Sequence, residues 1–205
     1  MNLIVRSFDS EEISSAVKNS FVREICEWER QEYGEGKHRT PDQLSECANK
    51  NPFGLFLAFR NDELLGYADI WQLDKQFYDG LRVGKILEEA LSANVVQSTS
   101  DVPSSCWYIG SIIVSAKLRA QNKVGAALTF ASLCNELPNF FQNNSHFPAF
   151  VLGVGSSPFG AKLLNRWKFS PVVSDDDAID LRPRFEKNMR NPDDALSFHV
   201  GHRRP

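Results

Sequence analysis

Nowhere in this sequence do eighteen apolar residues run together, so it offers no stretch long enough to cross a membrane as a helix. Its start, MNLIVRSFDSEE, has no basic patch leading into an apolar segment and does not read as a secretory signal. Cysteine is sparse and scattered. Cys26, Cys47, Cys106 and Cys134 form no CxxC pair and read as reduced, mostly buried thiols of a cytoplasmic protein, ahead of a disulfide or a zinc site. Histidine offers no ligand spacing beyond His199 and His202, and an i, i+3 pair alone is a poor mark of a metal. An excess of positive charge is missing too. A net charge of -3 with a pI near 5.8 argues against nucleic acid as the main partner. No internal repeat is visible.

What is present suits a globular protein. At 205 residues, 42% of them hydrophobic and 24% charged, the chain has material for one core, read as a single domain over 1–205 with an excursion at about 74–105. Residues 2–7 read as a strand. Asp9, with Glu12 three positions on, makes a capping-box pattern for a helix whose Ile13, Val17, Phe21, Ile25 and Trp28 form one apolar face. After a polar loop over 33–40, Thr40-Pro41 opens a short helix through Ala48. Residues 54–73 read as a hairpin turning at Asn61-Asp62, with Gly66 as a bulge in its second strand. The excursion carries helical spacing at Leu87, Leu91 and Val95 and is of the kind that covers a cleft.

The stretch from Cys106 to Leu137 organises the rest. A strand rich in β-branched and aromatic residues, ending near Val114, runs into a polar loop holding Arg119, Gln121, Asn122 and Lys123, and a helix follows from about Lys123. Such a loop at a helix N-terminus can seat a phosphate, because free N–H groups and the helix dipole both point at the anion. Beyond it come a buried strand over 147–155, Ser157-Pro158 opening a helix through Trp167, and FSPVV, which Pro171 confines to a sheet edge. Residues 181–195 read as irregular, LSFHV as a last strand and GHRRP as a tail. The order fits an α/β or α+β layered fold, a mixed sheet covered by helices.

Order and motifs together resemble the GNAT superfamily of acyl-CoA-dependent N-acyltransferases, whose signature is a strand, V-x-P, then R/Q-x-x-G-x-G/A opening a helix. Counting forward from Val114 puts Arg119 at the Arg/Gln position, with Ala116 where the proline would be. Counting back from Leu128 puts Gly125 at the last glycine with Val124 as its apolar neighbour, so this loop has one extra residue and lacks the middle glycine. The family's later motif, N-x-x-A-x-x-L-Y and then G-F, is similar to Ser157, Gly160, Leu163, Leu164, Lys168 and Phe169 at the correct spacing. The resemblance implies a mixed, mostly antiparallel sheet of six to seven strands and transfer of an acetyl group from acetyl-CoA, a co-substrate, to an amine by direct attack. It also implies a cofactor seat built from Ile113, Val114, Arg119, Gln121, Asn122, Lys123, Val124, Gly125, Ala126 and Ser157.

That chemistry needs three things. A backbone N–H near Ile113 or Val114 would polarise the acyl carbonyl, their side chains being core. A base must take a proton from an amine whose pKa is about 10. Asp69 and Tyr108 are the candidates, against plainer readings of a solvent-facing aspartate and a packed aromatic, while Glu88 and Glu89 read rather as a solvated face. An acid for the thiolate is wanting, since Leu164 stands where many members have a tyrosine, which leaves Tyr108, Ser156 or water. Cys134 reads as packing, and Asp175–Asp177 as a solvated loop before an attractor for a cationic substrate. The acceptor amine is unidentified and a homodimer is left open. A non-catalytic acyl-CoA-binding regulator is the alternative, and an acyl-transferring toxin on aminoacyl-tRNA ranks last.

Overall fold

A computed structural model of the chain describes residues 3–98, 106–144 and 149–198. A seven-stranded mixed sheet is its frame, in the spatial order β1-β2-β3-β4-β5-β7-β6. The strands are β1 (Ile4–Ser7), β2 (Leu55–Arg60), β3 (Glu63–Gln72), β4 (Cys106–Val114), β5 (Ala149–Val154), β6 (Ser170–Val172) and β7 (Arg184–Met189). Only the β4–β5 pair is parallel. Helices α1 (Ser15–Tyr33), α2 (Pro41–Lys50) and α3 (Lys75–Val83) bury Phe21, Ile25, Leu44 and Phe77 with Leu57 and Tyr67 in one apolar cluster. After the short α4 (Ala116–Gln121), α5 (Lys123–Asn144) and α6 (Pro158–Arg166) bury Leu133, Leu137, Phe141 and Leu164 in a second cluster with Trp107 and Val151. No helix among the described residues is long and apolar enough to cross a membrane.

Local sequence accounts for most of these boundaries. Thr40 caps α2 through a capping box with Gln43, and the helix runs to Lys50, two residues past its expected end. Asn61 and Asp62 both hold positive φ (48° and 61°), as a two-residue hairpin turn that matches the strand twist requires. The bulge falls beside Gly66: Ala58 faces Gly66 but Phe59 faces Leu64, so Leu65 is the extra residue. Ser157 caps α6 by accepting the Gly160 N–H at 3.0 Å, and β6, holding Pro171, is the sheet edge.

Four expectations fail. Asp9 and Glu12 do not start α1: Glu12 pairs with Arg6 at 2.8 Å, and Ser14 caps the helix instead. In the excursion the helix lies earlier, at Lys75–Val83. Gly84, at φ 85°, ends it, Glu88–Ala90 is a 3-10 turn, and Val96 bridges Leu73. Residues 184–189 are not irregular but form β7. Its charges disguised it: fully buried Arg184 donates to the Leu81, Asp180 and Arg182 carbonyls, and Lys187 reaches the Trp167 carbonyl at 3.2 Å. Finally, Pro192–Phe198 is a 3-10 segment, so the described part of LSFHV is no strand. His146, His199, His202 and the tail lie outside the described residues.

Candidate active site

β4 decides the geometry. It pairs with β5 only from Cys106↔Phe150 to Ile109↔Gly153, then continues to Val114 while β5 ends at Val154. The strands part beyond Ile109, and a cleft opens between them, floored by Ile112 and Gly153 and walled by Ser156, Gly160 and Leu164. A second cavity lies on the α1 side of β4, among Glu29, Arg39, Trp71, Glu88, Tyr108 and Arg182. Tyr33, Gly110 and Ser111 line both. Tyr33 and Ser111 hold this shared wall with a hydroxyl–hydroxyl hydrogen bond of 3.1 Å.

At the same point β4 carries a bulge. Ala68 faces Ile112 but Ile70 faces Ile109, so Asp69 alone stands opposite Gly110 and Ser111. The Ser111 N–H donates to Asp69 Oδ1 at 2.8 Å, and the Ser115 N–H to the Leu65 carbonyl at 2.9 Å. Since backbone N–H groups alternate along a strand, Ile113 also faces β3, whereas Ile112 and Val114 turn theirs to the open edge. Of the two expected carbonyl donors, Val114 thus turns its N–H to the open edge and Ile113 turns its own to β3; both side chains are core, 7% and 8% exposed.

On the α1 side of β4 the charges are buried. Asp69 is fully buried rather than solvent-facing and lines neither cavity. It pairs with Arg39, which pairs in turn with Glu29, 2% exposed, and lies 5.7 Å over the Trp71 ring. Burial raises the Asp69 carboxyl above its ordinary range, against the pull of Arg39. Burial pushes Glu29 the same way, but there the Arg39 charge and hydrogen bonds from Arg39 and Tyr67 prevail and hold it low. Glu88 is not on a solvated face. Its side chain is 23% exposed, Arg182 binds it at 3.1 Å, and burial pushes its carboxyl up to about 7. Tyr108, 2% exposed, lies against Glu88, though its hydroxyl makes no hydrogen bond of regular geometry to a described residue. Burial first, then the Glu88 charge, raises its pKa.

The expected phosphate loop is largely helix. Ser115 caps α4, accepting from the Leu118 N–H, so Arg119 and Gln121 lie on a helical turn rather than in a loop. Arg119 is already paired with Glu32 of α1. Asn122 breaks the two helices apart and its Oδ1 accepts the Gly125 N–H at 2.8 Å, which takes up one donor of the first turn of α5. Lys123 and Val124 are exposed, Ala126 is buried. None of residues 119–126 lines the cleft, whereas Ser156 and Ser157 do. Leu164 faces the cleft from the tyrosine position. Burial pushes the Cys134 thiol up to about 12, and all four cysteines are free and buried. Asp175 and Asp177 pair with Lys85.

Sequence reasoning missed Tyr33, Glu29, Arg39 and Arg182. One signal was available. The spacing Ile13, Val17, Phe21, Ile25 continues to position 29, so an acid falls on the buried face of α1, and with Asp69 inside an apolar strand it calls for a cation.

No family model matches the chain, and no curated protein sequence does. Solved structures do. A GNAT-like decarboxylase, GphF, in complex with isobutyryl-CoA is similar over 93% of this chain and 100% of its own, with a TM-score of 0.56 and 11% identity. An acetyltransferase of the GNAT family from Staphylococcus aureus Mu50 is similar over 92% of this chain and 100% of its own (TM-score 0.54, 10% identity). N-acetylglutamate synthase from Neisseria gonorrhoeae, complexed with coenzyme A and N-acetyl-glutamate, matches 93% of this chain (TM-score 0.51, 11% identity), which spans 36% of the synthase's length. At these identities the likeness is one of fold: the chain has the GNAT fold.

Proposed function

We propose that this protein is an acyl-CoA-dependent N-acyltransferase that moves an acetyl group from acetyl-CoA to an amine by direct attack in a ternary complex. One observation carries the reading: a strand-splay cleft and a carboxylate-bearing cavity back onto the same three residues, Tyr33, Gly110 and Ser111. A thioester entering the cleft would bring its carbonyl to the open edge of β4, where the Val114 N–H can polarise it. An amine in the other cavity meets Glu88. A carboxyl near 7 is half ionised at neutral pH, and so is matched to accept the proton the amine must lose. The amine nitrogen forms the new C–N bond and the C–S bond breaks. The thiolate, with a pKa of about 8.5 if it behaves like a cysteine thiol, takes the second proton that the nitrogen sheds after attack, relayed by water or the Ser156 hydroxyl. Asp69 lies behind Arg39 and stands less well for the base, while Tyr108 borders Glu88 and would tune it. Arg119, Gln121, Lys123 and the N–H groups of Val124 and Ala126 would face the pyrophosphate; Asn122 must release Gly125 for the full seat. The buried free thiols fit a cytoplasmic setting.

A second reading, an acyl-CoA binder without catalysis, is favoured by Leu164 in the cleft and by the Asn122 cap on Gly125. The decarboxylase among the structural neighbours adds that proteins of this fold also carry other acyl-CoA chemistry. One experiment separates them. Acetyl-CoA should raise the melting temperature, and an amine panel should release free thiol with a matching acylated product. Stabilisation without thiol release sinks catalysis, and no stabilisation at millimolar acetyl-CoA sinks acyl-CoA binding.

A further inference from the structure

The bulge in β4 has an unusual partner. In a regular antiparallel pair every second N–H meets a carbonyl across the ladder. Here the Ser111 N–H meets a side chain, the Asp69 carboxylate, inside a sheet. Asp69 is fully buried, and its second oxygen is tied to Arg39, which Glu29 holds from α1. Glu29 is fixed in turn by the Tyr67 hydroxyl at 2.8 Å and the Arg39 backbone N–H at 3.1 Å. Residue 110 must be glycine for this to fit, because a Cβ there would run into the Asp69 carboxylate.

The bulge sets the phase of everything beyond it. Cys106 offers its carbonyl to Leu73 of the β3 side, so Tyr108 and Gly110 face β3 as well. Without an extra residue, Ile112 and Val114 would follow the same phase, and the N–H groups of Ser111 and Ile113 would turn to the open edge. With it, Ser111 joins Gly110 in facing β3, and the open edge receives Ile112 and Val114.

We infer that Asp69 is a positioning residue for the acyl seat: by taking the Ser111 N–H, braced by Arg39 and Glu29, it holds the bulge that turns the Val114 N–H to the open edge of β4. Asp69 touches neither substrate in this role; it acts through Ser111 and Gly110. The role as positioner rests on the acyltransferase reading above, while the Asp69–Ser111 bond itself does not.

The test therefore has two arms. In the first, the Ser111 amide proton is followed by NMR without substrate. It should lie far downfield in the wild type, stay near there in Asp69→Asn, whose Oδ1 still accepts, and move upfield in Asp69→Ala. An unmoved resonance in Asp69→Ala overturns the bond, and with it the inference. In the second, turnover is compared across pH. Asp69→Ala and Gly110→Ala should each lower kcat by about 10²-fold, the size of effect expected for an ångström-scale misplacement, with the KM for the amine little changed. Asp69→Asn should lose less and keep the rise of rate with pH near 7. If Asp69→Asn abolishes that rise, Asp69 is the base and the inference fails; if Gly110→Ala turns over like the wild type, the bulge does not matter. Should Asp69→Ala fail to fold, Asp69→Asn and Gly110→Ala decide between the same outcomes. A wild type without turnover defeats the acyltransferase reading alone, and the NMR arm still judges the bond.

Discussion

The two flanks of β4 hold their charges in opposite ways. At the α4–α5 junction, where the reading proposed above would seat the pyrophosphate, Arg119 is half-exposed and tied to Glu32 on the surface, and the donors proposed to bind are backbone N–H groups at a helix start. On the α1 side, Glu29, Arg39 and Asp69 form a buried triad, and Glu88 and Arg182 a half-buried pair beside it. A surface pair of the first kind contributes up to about 1 kcal/mol, while breaking a buried one costs about 3–5 kcal/mol, because it strands a charge. The difference teaches that the first flank can lose side chains and keep its geometry, whereas the second cannot.

The comparison can be broken from its strong end first. Arg39→Leu leaves two buried carboxylates around one lost cation, and chemical denaturation should show a loss of about 3–5 kcal/mol. The loss should be larger at pH 8 than at pH 5. Without the guanidinium the folded carboxyls bind protons more tightly than the unfolded ones, so stability falls as pH rises through that window. A loss under 1 kcal/mol would mean the triad does not bear on the fold.

Glu88→Gln comes next; it removes the charge and keeps the size of the side chain. In the wild type, rate should climb as pH rises through about 7, as the carboxyl pushed there by burial ionises. The variant should be slower by at least about 10²-fold and lack that climb, read from kcat against pH. A surviving climb would clear Glu88 of the role. The smallest effect belongs to the other flank. Asn122→Ala removes the cap on Gly125 and should cost about 1 kcal/mol in thermal unfolding. Calorimetry should show coenzyme A binding held or tightened, since the Gly125 N–H is freed for an anion. Sharply weaker binding would show that the Asn122 side chain is itself part of the seat.

The same divide governs what could be read from the sequence. The hairpin at Asn61-Asp62, the caps at Thr40 and Ser157 and the edge strand at Pro171 were legible because one or two residues decide each. The GNAT fold was legible through spacing that runs from Val114 to Phe169. β7 was not, because Arg184 and Lys187 break the apolar alternation and their partners, the Leu81 and Trp167 carbonyls, are far away in the chain. Nor was the cavity on the α1 side of β4: Glu29, Arg39, Glu88 and Arg182 come from four separate segments, and each alone looks like an ordinary polar residue. Asp69 was singled out as a site residue for its odd place in an apolar strand, but its partner, the Ser111 N–H, is main chain and leaves no mark in a sequence.

The wall of Tyr33, Gly110 and Ser111 between the two cavities has a kinetic consequence. In the reading proposed above, donor and acceptor would reach their meeting point through separate openings, and the four cysteines, all buried, offer no thiol to carry an acyl group from one visit to the next. For the acyltransferase proposed above, initial-rate plots against the two substrates should therefore converge rather than run parallel. Coenzyme A should compete with the acyl donor and leave the slope of amine dependence to change with its own concentration. Neither substrate would have to wait for the other's product to clear the door.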